Sequence, residues 1–227
     1  MSTLLAVMTY PGGNDALKRH WPFFLSQDAD WYYVITTEGD ELEPPPHAHK
    51  RVIGRNCYIE GSHLPQRMVD TIAELLKLPW TVLILCEYDT LFLHRIRVEA
   101  LEHAVAAHYA GGQTWGSKAS GFHHNPWVFM REAAIRFVDF GRKAIAEGVC
   151  GNKTDAALSA PEGSPDVFFT YVCEQMGQTI QKDLWQEYSR NTLDLPGHLD
   201  EARKAYKDNL DIIHGCKTAH ELSYITA

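Results

Sequence analysis

An α/β fold with a mixed, mostly parallel central sheet flanked by helices is what this sequence predicts, and three observations carry the prediction. TLLAVMTY (3–10) and WYYVITTEGD (31–40) are short apolar runs, each closed by a turn, as buried parallel strands are. DALKRHWPFFL between them spaces its apolar residues as a helix does, which makes a βαβ start. TVLILC (81–86) is a third continuous run suited to a strand covered on both faces, and an amphipathic helix leads into it.

The elements follow in order. The first strand ends at PGG, the crossover helix is interrupted at Pro22, and the second strand turns after Thr37. ELEPPPHAHK is a proline-rich loop and RVIG a third, short strand. PQRMVDTIAELLKL (65–78) is a helix with proline in its first turn. The buried run from Thr81 to Cys86 then meets Glu87-Tyr88-Asp89. RVEALEHAVAAHY (97–109) reads as helix. GGQTWGSKASGFHHNPWVFMR mixes glycine-rich turns with an apolar run from Pro126 to Met130, a section of mixed sheet. EAAIRFVDFGRKAIAEG (132–148) is a helix weakened or bent at Gly141. CGNKTDAALSAPEGSP is a surface loop, after which SPDVFFTYVCEQMG starts a helix with Ser164, Pro165 and Asp166 as cap and first turn. TIQKD is a strand, HLDEARKAYKD a helix and LDIIHGCKT a last strand or extended segment.

The 227 residues suffice for one domain with a substantial core, and 45% hydrophobic with 22% charged residues are globular proportions. A net charge of −8 disfavours general attraction to nucleic acid, although HAHKRVIGR (47–55) is a basic strip able to hold phosphate. Five cysteines, widely spaced and without CxxC, suggest neither a disulfide framework nor a cysteine zinc site, and fit a reducing compartment. The start lacks a basic signal region and no run reaches the ~18 apolar residues of a membrane span, so the expectation is a soluble cytoplasmic protein.

Two carboxylates just past a buried strand, Glu87 and Asp89, fall where open α/β sheets place ligands. Such acids also serve as turn residues or helix caps. Together they supply hard oxygen ligands for one divalent cation, and a cation that neutralises a diphosphate needs only one or two carboxylates besides substrate oxygens and water. IIHGCK adds an imidazole at His214, a close-approach glycine at Gly215 and a phosphate-sized positive charge at Lys217. GFHHNPW (121–127) offers His123, His124 and Trp127 for stacking and hydrogen bonding to a polar molecule, or is an ordinary loop anchored by the tryptophan. His123 and His124 are adjacent and make a poor metal pair on an extended chain.

The βαβ start, the strand ending in Glu87-Tyr88-Asp89 and the late His214-Gly215-Cys216-Lys217 resemble glycosyltransferases of the Rossmann-like GT-A fold, over most of the chain. Glu87 stands where that family usually has an aspartate, and the late motif is shorter than the His-x-Gly-x-x-Lys of glycogenin-like members. The resemblance implies a nucleotide-binding part at about 1–93 and an acceptor-binding part at about 94–227. It implies a nucleoside diphosphate sugar donor, UDP-linked in the first instance, and a hydroxyl acceptor: a glycan, a small molecule or a hydroxylated DNA base. Mn2+ or Mg2+ would be held by Glu87, Asp89 and His214, with Lys217 on the diphosphate. Thr9, Tyr10, Pro11 and Thr37 would border the base and ribose, with Arg67 reaching base or phosphate. His123, His124 and Trp127 would meet the acceptor. Asp166, at a helix start, would be the general base, or merely complement that helix, and Glu174 is a second candidate. Two other readings stand beside this one. A nucleotidyltransferase lacks support from YPGGND, which has no basic residue before Lys18, and a non-catalytic nucleotide-sugar or carbohydrate-binding module is permitted by Glu87.

Overall fold

The computed structural model describes residues 1–54, 64–109, 114–115, 118–119, 122–148, 165–190, 193 and 195–227. Ser164, the loop before it, Cys57 and Cys150, Arg55 at the end of the basic strip, and the side chains of His123 and His124 lie outside the described residues and side chains.

In chain order the elements are β1 (Thr3–Met8), α1 (Asn14–Leu25), β2 (Trp31–Thr36), β3 (Ala48–Val52), α2 (Leu64–Leu75), β4 (Val82–Glu87), β5 (Thr90–Phe92) and β6 (Val105–Tyr109). Then come β7 (Thr114–Trp115), β8 (Lys118–Ala119), β9 (Phe122–Met130), α3 (Arg131–Ala146), α4 (Pro165–Gln175), β10 (Ile180–Gln181), β11 (Glu187–Ser189), α5 (His198–Lys207), β12 (Ile212–His214) and α6 (Ala219–Thr226).

The main sheet has seven strands in the order β10-β6-β9-β4-β1-β2-β3. β1 pairs in parallel with both β2 and β4, and β9 is antiparallel to β4 and β6, so β9 alone runs against the rest. This is the mixed, mostly parallel sheet that the apolar runs imply. β1 and β4 are buried along both faces because helices cover one side and further chain the other. Leu4, Ala6, Leu83 and Leu85 pack with Met68, Val69 and Ile72 of α2, Phe137 of α3 and Phe168 and Phe169 of α4. On the other face Leu5, Val7, Ile84 and Cys86 pack with Leu17, Trp21 and Phe24 of α1. A second sheet, β11-β12-β5, lies on that same side, and α5 and α6 close it through Ala202, Ala205 and Ile225. No helix among the described residues is long and apolar enough to cross a membrane.

Two expectations need correction. Residues 97–109 are not a helix: a single 3-10 turn at Val98–Ala100 precedes β6. β6 runs between β9 and β10, with Val105 and Ala107 in one core and Ala106 in the other, so sheet burial on both faces outweighs the helical preference of its alanines. Pro22 does not interrupt α1, which continues to Leu25. The proline is exposed, which leaves the carbonyl it cannot serve on the solvent side. α3 runs through Gly141, where a Cβ would come 2.8 Å from the Val69 side chain, so glycine lets α2 and α3 approach.

Chain order and spatial order together locate a crevice. From β1 the chain proceeds to β2 and β3 on one side and returns to β4 on the other, so the order reverses at the carboxyl ends of β1 and β4. Ligands of open α/β sheets bind at such switch points.

Candidate metal centre at the switch point of the sheet

β4 delivers its acids to this crevice in a fixed frame. Glu87 is in register with Met8, and the Tyr88 amide donates to the Met8 carbonyl (3.0 Å), so the strand pairing extends one residue past β4. Tyr88 is buried, and its ring lies so close beneath Gly13 that a Cβ there would meet it at 2.8 Å. The Tyr88 carbonyl is 3.0 Å from His20 Nδ1 on α1. Glu87 ends β4, and Asp89 follows this pinned tyrosine in the tight turn that joins β4 to β5.

The second sheet brings in the rest. β12 is antiparallel to β5 with His214 opposite Thr90, which places the imidazole beside Asp89. After His214 the chain takes the left-handed conformation at Gly215 (φ +95°), open to glycine at little strain. The amides of Gly215 and Cys216 then approach the Asp89 carbonyl, both at 3.2 Å. His214 Nδ1 is 3.2 Å from Ser189 Oγ, and its Nε2 is 3.3 Å from Asp89 Oδ1. One oxygen of Glu87, one of Asp89 and one nitrogen of His214 all lie within 4.8 Å of one another.

Asp89 Oδ1 is buried and has no hydrogen-bond partner among the described residues, since the 3.3 Å approach of His214 is not directed as one. An orphaned carboxylate oxygen at low exposure is costly, and a cation at this position would satisfy it. Two carboxylates and an imidazole suit Mn2+ and tolerate Mg2+, and ligand atoms at this spread need little movement to surround one ion. The thiols nearby do not compete. Burial holds Cys86 well above its ordinary pKa, with Glu87 and Asp89 adding to the shift, and burial followed by Glu221 and Asp89 pushes Cys216 to about 12. Burial, then the charge of Asp89, also raises the Tyr88 phenol, which stays neutral.

Lys217 completes the charged group. Its Nζ is 3.7 Å from Asp89 Oδ2, and its side chain is 40% exposed. It immediately precedes a capping box: Glu221 accepts from the amides of Lys217 and Thr218 (both 2.6 Å), and Thr218 Oγ1 accepts from the Glu221 amide. Arg19 on α1 donates to the Lys217 carbonyl at 2.8 Å, tying this segment to the first helix.

The residues at the ends of β1 and β2 divide into two kinds. Thr9 is buried, with its hydroxyl directed at Asn14 Oδ1 (3.2 Å), and Asn14 donates to Asp40 Oδ1 (2.9 Å). Arg67 is also buried and donates to the Thr9 carbonyl at 2.8 Å. Both hold the loop. Thr37 is buried, and its hydroxyl has no hydrogen-bond partner among the described residues. Tyr10 meets Tyr88 edge to face at 5.4 Å. Pro11 lines an open cleft of about 560 Å3 with Asn14, Lys18 and the Gly39–Glu43 turn. Its acids Asp40, Glu41 and Glu43 make it unfavourable for phosphate.

Asp166 is the second residue of α4 and is buried. Phe169, three residues on, stacks on Trp127 (4.3 Å), which pairs with Leu85. The far end of this segment, Ile180, pairs with Val105 and so lies level with Phe129 and Leu83. α4 therefore starts at the carboxyl edge of β4, the same edge as Asp89, although over the opposite face of the sheet. Glu174 is exposed in the last turn of α4, away from that edge. Trp127 corrects an expectation: it is 0% exposed, a core position among Phe129, Phe137 and Phe169. His123 and His124 are on strand β9 rather than in a turn.

The sequence reading missed His20 and Ser189. His20 had a signal, a polar ring on the apolar stripe of Leu17, Trp21 and Phe24; Ser189 had none, because β11 is only three residues long. No protein-family model matches the chain, and no characterised protein matches it in sequence.

Proposed function

We propose that this chain is a divalent-cation-assisted glycosyltransferase of GT-A type, which moves a sugar from a nucleoside diphosphate sugar, a UDP-sugar in the first instance, to a hydroxyl acceptor. The observation that supports this most is the meeting of Glu87, Asp89 and His214 at the switch point, with Lys217 beside them. These residues come from two sheets and from distant parts of the chain. A turn acid or helix cap needs no such company.

Glu87, Asp89 and His214 would hold Mn2+ or Mg2+, whose contribution is to neutralise the departing diphosphate. Lys217 adds a mobile positive charge for the same phosphates. The cleft beside Pro11 takes the base and ribose, with Tyr10 between it and the metal ligands. Asp166 takes the proton of the acceptor hydroxyl from across the sheet edge. Cys86, Cys173 and Cys216 are free and buried, which agrees with work in the reducing cytoplasm.

The test is a panel of nucleotide sugars with Mn2+ or EDTA, read as thermal stabilisation and as release of nucleoside diphosphate. Stabilisation by one nucleotide family, dependent on the cation, is expected; a ligand at 100 times its Kd adds about 2.7 kcal/mol.

A further inference from the structure

His20 sits behind the acidic turn. It is fully buried on α1, one edge of its ring is committed to the Tyr88 carbonyl, and it lies outside the set of residues that would touch cation or donor. We propose that His20 is a positioning residue that sets the aim of Glu87 and Asp89 by donating a hydrogen bond from Nδ1 to the Tyr88 carbonyl; this rests on the cation reading of those two acids.

The chemistry at the contact is one-sided. A backbone carbonyl only accepts, so at 3.0 Å Nδ1 must carry the proton, and the neutral ring then has a bare Nε2. That Nε2 is buried without a hydrogen-bond partner among the described residues. A leucine or phenylalanine would fill a core position next to Leu17, Trp21 and Phe24 with no orphaned nitrogen, so packing alone does not account for an imidazole here. What the imidazole supplies is a donor to the carbonyl of Tyr88, the residue between the two carboxylates. With the Tyr88 amide already donating to Met8, this bond fixes both peptide planes of the turn. Rotation of the plane between Tyr88 and Asp89 would swing the Asp89 side chain away from His214 Nε2. Outer partners of this kind commonly change metal affinity by about 10–100-fold.

Two amide substitutions separate positioning from packing. In His20→Asn the side-chain nitrogen falls near the Nδ1 position, whereas in His20→Gln it falls near Nε2. Mn2+ binding to metal-free protein is measured for both by calorimetry, with melting temperatures in EDTA. The expected result is near-native Mn2+ affinity in His20→Asn and a loss of about tenfold or more in His20→Gln, at similar melting temperatures. Equal affinities in the two variants overturn the inference. Nitrogen-15 imidazole spectra of the native protein supply a check that needs no variant: an Nδ1–H tautomer with and without Mn2+ supports it, and an Nε2–H tautomer overturns it. Native protein that takes up no Mn2+ instead overturns the cation reading itself, and the positioning role with it.

Discussion

His214 Nε2 stands 3.3 Å from Asp89 Oδ1, a buried carboxylate oxygen that has no hydrogen-bond partner among the described residues. The two residues are brought together because β12 pairs with β5, the strand that begins directly after Asp89. Their approach is therefore built into the second sheet rather than left to flexible side chains. On the other side Lys217 holds Asp89 Oδ2 only loosely, at 3.7 Å.

Lys217→Ala removes a charge that acts on phosphate. Binding of UDP should weaken by about tenfold, the worth of one partly exposed charge-assisted contact of roughly 1.5 kcal/mol, while binding of uridine stays within about twofold. Calorimetry with both ligands in Mn2+ measures the difference. Equal losses for UDP and uridine contradict a phosphate role.

Asp166 lies in the first turn of α4, so its charge also complements the helix dipole, an effect of about 0.3–1 kcal/mol. Asp166→Asn gives up that small amount and cannot accept a proton. Donor binding should persist, the melting temperature should fall by a few degrees at most, and sugar transfer should be lost. An Asp166→Asn protein that transfers sugar at the native rate removes Asp166 as the base.

His108 on β6 contributes a pH dependence unrelated to the site. Burial lowers its pKa to about 4 from the ordinary 6.5. Below pH 6.5 the unfolded chain takes a proton there while the folded chain does not, so stability is fully present above that pH and falls between pH 6.5 and about 4. His20, lowered chiefly by burial, acts in the same direction. The melting temperature of His108→Gln should drop less than that of the native protein between pH 7.5 and pH 5, and parallel drops would contradict this assignment.

The parts of the fold legible in the sequence were those whose burial is continuous or periodic. β1, β2 and β4 are unbroken apolar runs because both faces of the sheet are covered, and α2 and α3 show their buried stripes directly. β6 misled because VAAHY is alanine-rich, and only pairing with β9 and β10 makes it a strand. The second sheet escaped notice for the most part, since β5 and β11 have three residues each, too few to display a period. At the site, Glu87, Asp89 and His214 were readable from residue type and place. His20 stood out only as a polar ring on the apolar stripe of α1; its partner, the Tyr88 carbonyl, is one that no local pattern announces. Trp127 was misjudged because its histidine- and turn-rich neighbours hide a core position stacked on Phe169.

The most direct test of the central claim is thermal stabilisation of metal-free protein by UDP-sugars with and without Mn2+, carried out in parallel on Asp89→Asn. The Asp89 carbonyl would still accept from Gly215 and Cys216, so the variant should stay folded. The account predicts stabilisation of the native protein only when donor and cation are both present. In Asp89→Asn that stabilisation should vanish, because losing a direct ligand weakens cation binding by more than the roughly 10–100-fold that an outer-shell change costs. Stabilisation of equal size in EDTA, or an Asp89→Asn protein that responds as the native one does, would contradict a cation-held diphosphate at this site.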